Sequence, residues 1–443
     1  MNTPIYDFVQ NYIKSNTARL HMPGHKGVSF LGCEHSDITE IRGADELYAP
    51  SGIIRESEEN ATHLFSTAKT IYSAGGSSQS INAMLYLAYL KADKSSRPFV
   101  LAGKNAHKSF IYALAKLDAD VEWLYPENSD SICSCVVTAE MLENKLNELA
   151  YKPFAVYITS PDYLGGMSDI KSLAEICNKY NIPLLVDNAH GSYLKFCSQD
   201  IHPISLGADM CCDSAHKTLP VLTGGGYLHI AKNDKYEFSK NVVNAMAIFG
   251  STSPSYLILQ SLDLCNKYID TKIKNDISAC TEKVSEIRKI MIERNIPDVS
   301  DEPLKITADF RGVDLDFECI FSENNIEYEY SDGEFIVFML TSQNSDEDFE
   351  KLKKVFENVG EIKKSNTTDI QFPKAERVLT IRDAVFAESE EIDVKNALNR
   401  ICASPTVSCP PAIPIAVSGE RITEKHIELF RKYKINNILV TKK

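Results

Sequence analysis

Pro183-Leu184-Leu185-Val186-Asp187-Asn188-Ala189-His190-Gly191 is a short apolar run that breaks, at Asp187, into a polar turn ending on glycine. An unbroken apolar run of this length reads as a strand buried on both faces, the kind that parallel sheets contain. Three further runs resemble it: Pro98-Phe99-Val100-Leu101-Ala102, Val121-Glu122-Trp123-Leu124 and Phe154-Ala155-Val156-Tyr157-Ile158. Helical patterns over residues 80–90, 108–117 and 170–180 alternate with them. Apolar strands separated by helices predict an α/β fold between about residues 60 and 265, a mostly parallel central sheet with helices on both faces. Ligands of such sheets bind beyond the carboxyl ends of the strands, so the residues just after each run are the candidates for chemistry.

Lys217 is the first of these, in Asp213-Ser214-Ala215-His216-Lys217-Thr218 after the sulfur-rich Ala208-Asp209-Met210-Cys211-Cys212. An ammonium with apolar flanks is costly unless it is paired or chemically transformed. A Schiff base with pyridoxal 5'-phosphate (PLP) removes that charge. Asp187, ending its own strand, can pair with the protonated pyridine nitrogen and keep the ring able to accept electrons. Alone it reads as an N-cap; with Lys217 thirty residues on, the cofactor role is favoured.

Ser73-Ala74-Gly75-Gly76-Ser77-Ser78-Gln79-Ser80 opens a helical pattern, which suits a phosphate cup, with Ser77 and Ser78 as donors. Many Gly/Ser-rich helix starts are plain loops. Ser214 and His216 are further phosphate donors. His107, in Gly103-Lys104-Asn105-Ala106-His107-Lys108-Ser109, is placed to stack on a cofactor ring or donate a proton, although a lone loop histidine is more often a surface hydrogen-bonding group. His190 carries the same two readings. Thr159-Ser160-Pro161-Asp162-Tyr163 reads equally as site lining and as a proline turn.

At 443 residues the chain is too long for one core. The texture divides it into an N-terminal arm (1–55) carrying a short amphipathic helix, a PLP-binding large domain (56–265) and a C-terminal α+β small domain with a terminal extension (266–443). Within the last we expect a long charged helix over 267–295, a strand over 335–340, a helix over 346–359, a polar linker over 361–377 and a helix over 389–401. The net charge of −14 argues against nonspecific nucleic-acid binding and against anionic membranes. Twelve cysteines without a C-x-x-C read as free thiols of a reducing cytosol. No metal is expected, nor a signal peptide, and the protein is expected to be soluble and cytoplasmic. Neither a G-x-S-x-G elbow, a P-loop nor H-E-x-x-H occurs, and Gly224-Gly225-Gly226 reads as a turn.

Several separate motifs, in order, resemble the Orn/Lys/Arg decarboxylase family, PLP enzymes of the aspartate-aminotransferase fold (fold type I), in its short bacterial form. They are R-L-H-M-P-G-H-K-G at 19–27, the acidic stretch from Asp37 through Glu40 to Asp45 and Leu47, K-N-A-H-K-S at 104–109 and T-S-P-D-Y at 159–163. D-N-A-H-G at 187–191, S-A-H-K-T-L at 214–219 and C-P-P-A-I-P…S-G-E at 409–420 complete the set. The resemblance implies that Lys217 holds PLP, Asp187 pairs with its ring nitrogen, His107 stacks on the ring and Ala189 packs on the other face. Ser77, Ser78, Ser214 and His216 would contact the phosphate. It also implies a homodimer or larger homo-oligomer with active sites at the subunit interface. Lys104 stands where the family commonly has arginine, Asn188 where glutamate is usual, and Cys409 and Ala412 where tyrosine and glycine are usual. These departures leave the cofactor assignment intact.

The expected reaction is decarboxylation of a basic L-amino acid, arginine to agmatine first, with lysine or ornithine close behind. A rival is transamination, for which Arg311 in Asp309-Phe310-Arg311-Gly312 is the candidate for the substrate carboxylate. A PLP-binding protein without turnover is the third reading.

Overall fold

The computed structural model describes residues 1–126, 129–359, 370, 372–406 and 411–442. Seven strands carry the larger α/β portion: β1 (Lys69–Ser73), β2 (Phe99–Gly103), β3 (Asp120–Leu124), β4 (Ala155–Thr159), β5 (Leu184–Asp187), β6 (Met210–Asp213) and β7 (Gly226–Ile230). The four apolar runs of the sequence are β2 to β5. The described residues form two compact units, Met1–Lys91 with Cys177–Asp276 and Ala92–Ile176 with Ile277–Lys443.

In the first unit the strand order is β1-β7-β6-β5. β5 and β6 are parallel, with Asp187 opposite Cys212. β7 returns antiparallel to both β6 and β1. The connection from β6 holds only a four-residue helix, Ala215–Thr218, too short for the crossover that a parallel return needs. Gly226 permits that return, because a Cβ there would meet the Asp213 carbonyl oxygen at 2.6 Å. The amphipathic helix expected in the arm is α1 (Pro4–Lys14), which buries Ile5 and Val9. α2 (Ile53–Phe65) starts at Gly52, and Asp45 from the preceding loop accepts the N–H groups of Gly52, Ile54 and Arg55. α3 (Gly76–Tyr89) follows β1 and is buried along much of its length.

In the second unit β4-β2-β3 are all parallel. α4 (Lys108–Leu117) follows β2 where the 3.6-residue pattern places it. The small antiparallel sheet has the order β8-β10-β9, from β8 (Lys305–Asp309), β9 (Tyr330–Ser331) and β10 (Phe335–Met339). The helix Asp346–Asn358 begins with a Ser345–Asp348 capping box. Tyr163, Tyr330, Val337, Ile415 and Phe430 share one apolar core there. The mostly parallel α/β class read from the sequence is the one observed.

Two expected elements are corrected. The helix over 267–295 is two helices, Tyr256–Thr271 and Ile273–Glu293, parted at Lys272 (φ −132°). Thr271 Oγ1 turns back onto the Lys267 carbonyl at 2.7 Å, a competing bond that weakens a helix. The charged pattern contains no glycine or proline to announce the break. Residues 389–401 begin not as helix but as β11 (Ser389–Asp393), paired antiparallel with β12 (Asn437–Thr441), and continue into a 3₁₀ turn capped by Asp393. Ser-Glu-Glu-Ile-Asp has helix formers in it, and the partner forty-odd residues later overrides them. Most of the expected linker at 361–377, namely 361–369 and 371, lies outside the described residues, as do Cys409 and Pro410. Among the described residues no helix is long and apolar enough to cross a membrane.

Candidate active site

β5 and β6 lie side by side, so their carboxyl ends bring Asp187 and the Ser214–Lys217 turn into one place in the first unit. Asp187 is buried. Its Oδ1 accepts the Ala189 N–H at 3.2 Å and the Cys212 thiol at 3.6 Å, so the N-cap-like bond and a carboxylate at the strand end coexist. Lys217 is half-buried, and its Nζ lies 2.9 Å from His190 Nε2. The amine donates there, so His190 holds the lysine in place. Ala189 is half-buried beside it.

The glycine loop closes the same end. Gly76 takes φ +64°, donates its N–H to the Gly224 carbonyl at 2.7 Å, and would place a Cβ 3.7 Å from His216 Cε1. Ser77 and Ser78 open α3 on this loop, with a helix N-terminus behind them that favours an anion. Ser214 is buried at the head of the lysine turn. His216 donates its Nδ1 proton to the Gly225 carbonyl at 2.8 Å. The neutral ring therefore presents a lone pair at Nε2, and it donates to a phosphate only when protonated. Burial, partly offset by the Gly225 bond, lowers its pKa. This loop, with its glycines and helix start, fits the phosphate of PLP, and Lys217 with Asp187 fit the aldehyde and the ring nitrogen.

His107 belongs to the second unit. It is the N-cap of α4, its Nδ1 accepting the Ser109 N–H at 3.1 Å, which leaves the ring proton on Nε2. The Thr159–Tyr163 segment turns as the proline reading expects: buried Asp162 accepts the Gly166 N–H at 2.8 Å and Tyr163 bonds Glu329 at 2.7 Å. Burial raises the Asp162 carboxyl to about 6. Arg311 is engaged by Asp130 at 2.6 Å and Asp309 at 2.9 Å.

A buried network beneath the lysine turn was not anticipated. Asp213 is fully buried and receives Asn188 Nδ2 at 2.7 Å, His202 Nε2 at 3.1 Å and His229 Nε2 at 3.2 Å. Burial pushes its carboxyl up, and His202 and His229 more than reverse this, holding it far below the usual range. His202, Cys211 and Asp213 are close enough together to invite a metal. However, Ile204 N–H donates to His202 Nδ1, so the proton sits on Nε2 and points at Asp213 as a hydrogen bond. The only sequence signal was a carboxylate at the end of the otherwise apolar Met210–Asp213 run. Its histidine partners come from distant segments.

A lysine after β6, a carboxylate closing the parallel neighbour β5 and a glycine-serine helix start together define a pyridoxal-phosphate-dependent enzyme of fold type I. Solved structures agree on the fold. The Francisella novicida lysine decarboxylase superposes with a TM-score of 0.80 at 16% identity, covering 99% of this chain and 81% of that one. The constitutive lysine decarboxylase of E. coli gives 0.78 at 16% identity over 100% and 82%. Residues 3–302 match the model of the Orn/Lys/Arg decarboxylase major domain and residues 363–436 that of its C-terminal domain, and the chain belongs to the Orn/Lys/Arg decarboxylase family. An arginine decarboxylase of Bacillus subtilis (strain 168) is 28% identical over 470 residues, 97% of this chain and 93% of the relative. The protein is a PLP-dependent decarboxylase of basic amino acids.

Proposed function

We propose that the protein converts L-arginine to agmatine and carbon dioxide, a step toward polyamines, with lysine or ornithine as the alternative substrate. The observation that supports a working site is the Lys217–His190 contact at 2.9 Å beside Asp187 at the end of β5. The names of full-length relatives favour arginine.

In this reading Lys217 binds the cofactor aldehyde and Asp187 faces the ring nitrogen. Ser77, Ser78, Ser214 and a protonated His216 bind the phosphate. His107 stacks on the ring, and Ala189 covers the opposite face. When bound, PLP supplies an electron sink for the pair left behind as carbon dioxide departs. Asp187 pairs with the ring nitrogen and keeps its proton in place. His190 orients the Lys217 amine, and Lys217 or His107 returns a proton to Cα. Transamination is disfavoured by Arg311, whose guanidinium is already committed to Asp130 and Asp309.

We further propose a cytoplasmic homodimer or larger homo-oligomer with interfacial sites, and an organisation into arm (1–55), large domain (56–265) and C-terminal region (266–443). The deciding experiment incubates PLP-loaded protein with arginine, lysine and ornithine and identifies the amine by mass spectrometry. Agmatine is expected; carbon dioxide from none of the three would overturn the reading.

A further inference from the structure

α4 is held at both ends and in the middle by the C-terminal region. Every helix leaves its first N–H groups and last carbonyls without internal partners. Here the Lys108 N–H, first in the helix, donates to the Ala412 carbonyl at 2.9 Å, and the next, Ser109, donates to His107 Nδ1. At the far end Arg382 donates to the Ala115 and Lys116 carbonyls at 3.2 and 3.3 Å. Midway, Tyr112 Oη meets Ser404 Oγ at 3.0 Å. The acceptor Ala412 has φ +60°, a left-handed backbone that alanine adopts only at a cost. The left-handed Ala412, with its carbonyl aimed at the first turn of α4, ties two sequence motifs that lie three hundred residues apart.

We propose that the C-terminal region positions His107: the Ala412 carbonyl, by binding the Lys108 N–H, fixes the turn that sets the backbone and ring of this histidine. In this proposal Ala412 is a positioning residue, acting through the Lys108 N–H. The inference rests on the proposed cofactor-stacking role of His107.

Lys108→Pro tests it with little collateral change. Proline suits the first helical position and lacks the N–H. His107, at φ −61° and ψ 150°, already has the conformation required before a proline. Lys108→Ala keeps the N–H and controls for the lost side chain. With PLP bound, Lys108→Pro is expected to change the visible circular dichroism of the cofactor and to lower kcat on the order of 10- to 100-fold with KM little changed. Lys108→Ala should match the unmodified protein in both. In cofactor-free protein, hydrogen exchange at the Ser109 and Phe110 amides should quicken in Lys108→Pro alone. Should Lys108→Pro not fold, Ala412→Val, a β-branched residue disfavoured at φ +60°, is expected to displace the same carbonyl and give the same changes.

A folded Lys108→Pro protein with unaltered dichroism, kcat and amide exchange would overturn the proposal. If the unmodified protein shows no cofactor band and no borohydride adduct at Lys217, the cofactor-site reading has failed instead. The exchange data still decide whether Ala412 braces α4.

Discussion

The Asn188 side-chain amide donates to Asp213 at 2.7 Å, linking the residue after Asp187 to the strand end from which the lysine turn begins. Asn188 also donates its backbone N–H to the Cys212 carbonyl at 3.0 Å. A glutamate at this position would set a second buried carboxylate against Asp213. The amide is what this arrangement of neighbours accommodates.

Asp213→Asn should therefore be costly. It removes the charge that receives His202, His229 and Asn188, and leaves buried donors facing an amide. Breaking a buried charged network of this kind costs about 3–5 kcal/mol, measurable by urea denaturation of cofactor-free protein. Because the Asp213 carboxyl lies well below its ordinary value, its contribution is full above about pH 4 and is lost as pH falls toward the folded-state value. The variant should show less acid sensitivity than the unmodified protein. Equal stability of the two would refute the assignment.

Glu58 acts in the opposite direction. Burial lifts its carboxyl to about 8, while its Oε1 accepts the Tyr72 N–H at 2.9 Å. The folded protein holds a proton here that the unfolded chain releases near the ordinary carboxylate value. This contribution is fully present at acid pH and declines as pH rises from about 4.5 toward 8. Glu58→Gln keeps the carbonyl acceptor and removes the titration. Thermal melts should find it more stable than the unmodified protein at pH 8, by on the order of 1 kcal/mol or more, with the difference vanishing near pH 4.

His216 should report phosphate binding. Burial lowers its pKa in the cofactor-free protein, and a phosphate dianion beside Nε2 should raise it. Imidazole resonances followed by NMR should titrate at higher pH after PLP or inorganic phosphate is added. An unchanged titration would remove His216 from the phosphate site.

Lys217→Met should abolish borohydride-trapped cofactor while leaving the fold intact, since the lysine is only half-buried. His190→Phe should retain trapping but weaken it. Its Nε2 lies 2.9 Å from the Lys217 amine and orients it. Peptide mapping of the reduced adduct distinguishes the two outcomes.

The strands Phe99–Gly103, Ala155–Thr159 and Leu184–Asp187 were legible because burial on both faces leaves an unbroken apolar run, which no long-range knowledge is needed to see. Lys217 and Asp187 stood out for a related reason, as charges set where the pattern demands apolar residues. β1, β7 and Ser389–Asp393 lack such a run. Such strands are stabilised by partners remote in sequence, and local preference is weak beside a paired backbone.

By itself the sequence determined the α/β class, the cofactor and the candidate lysine and aspartate, because spacing and charge against an apolar background are local properties. Only the tertiary structure decided that Asp213 binds Asn188, His202 and His229, that Arg311 is occupied by two carboxylates, and that Ala412 caps the helix headed by His107. Each of those depends on groups brought together by folding from distant segments, and hydrogen bonds and ion pairs act only at contact.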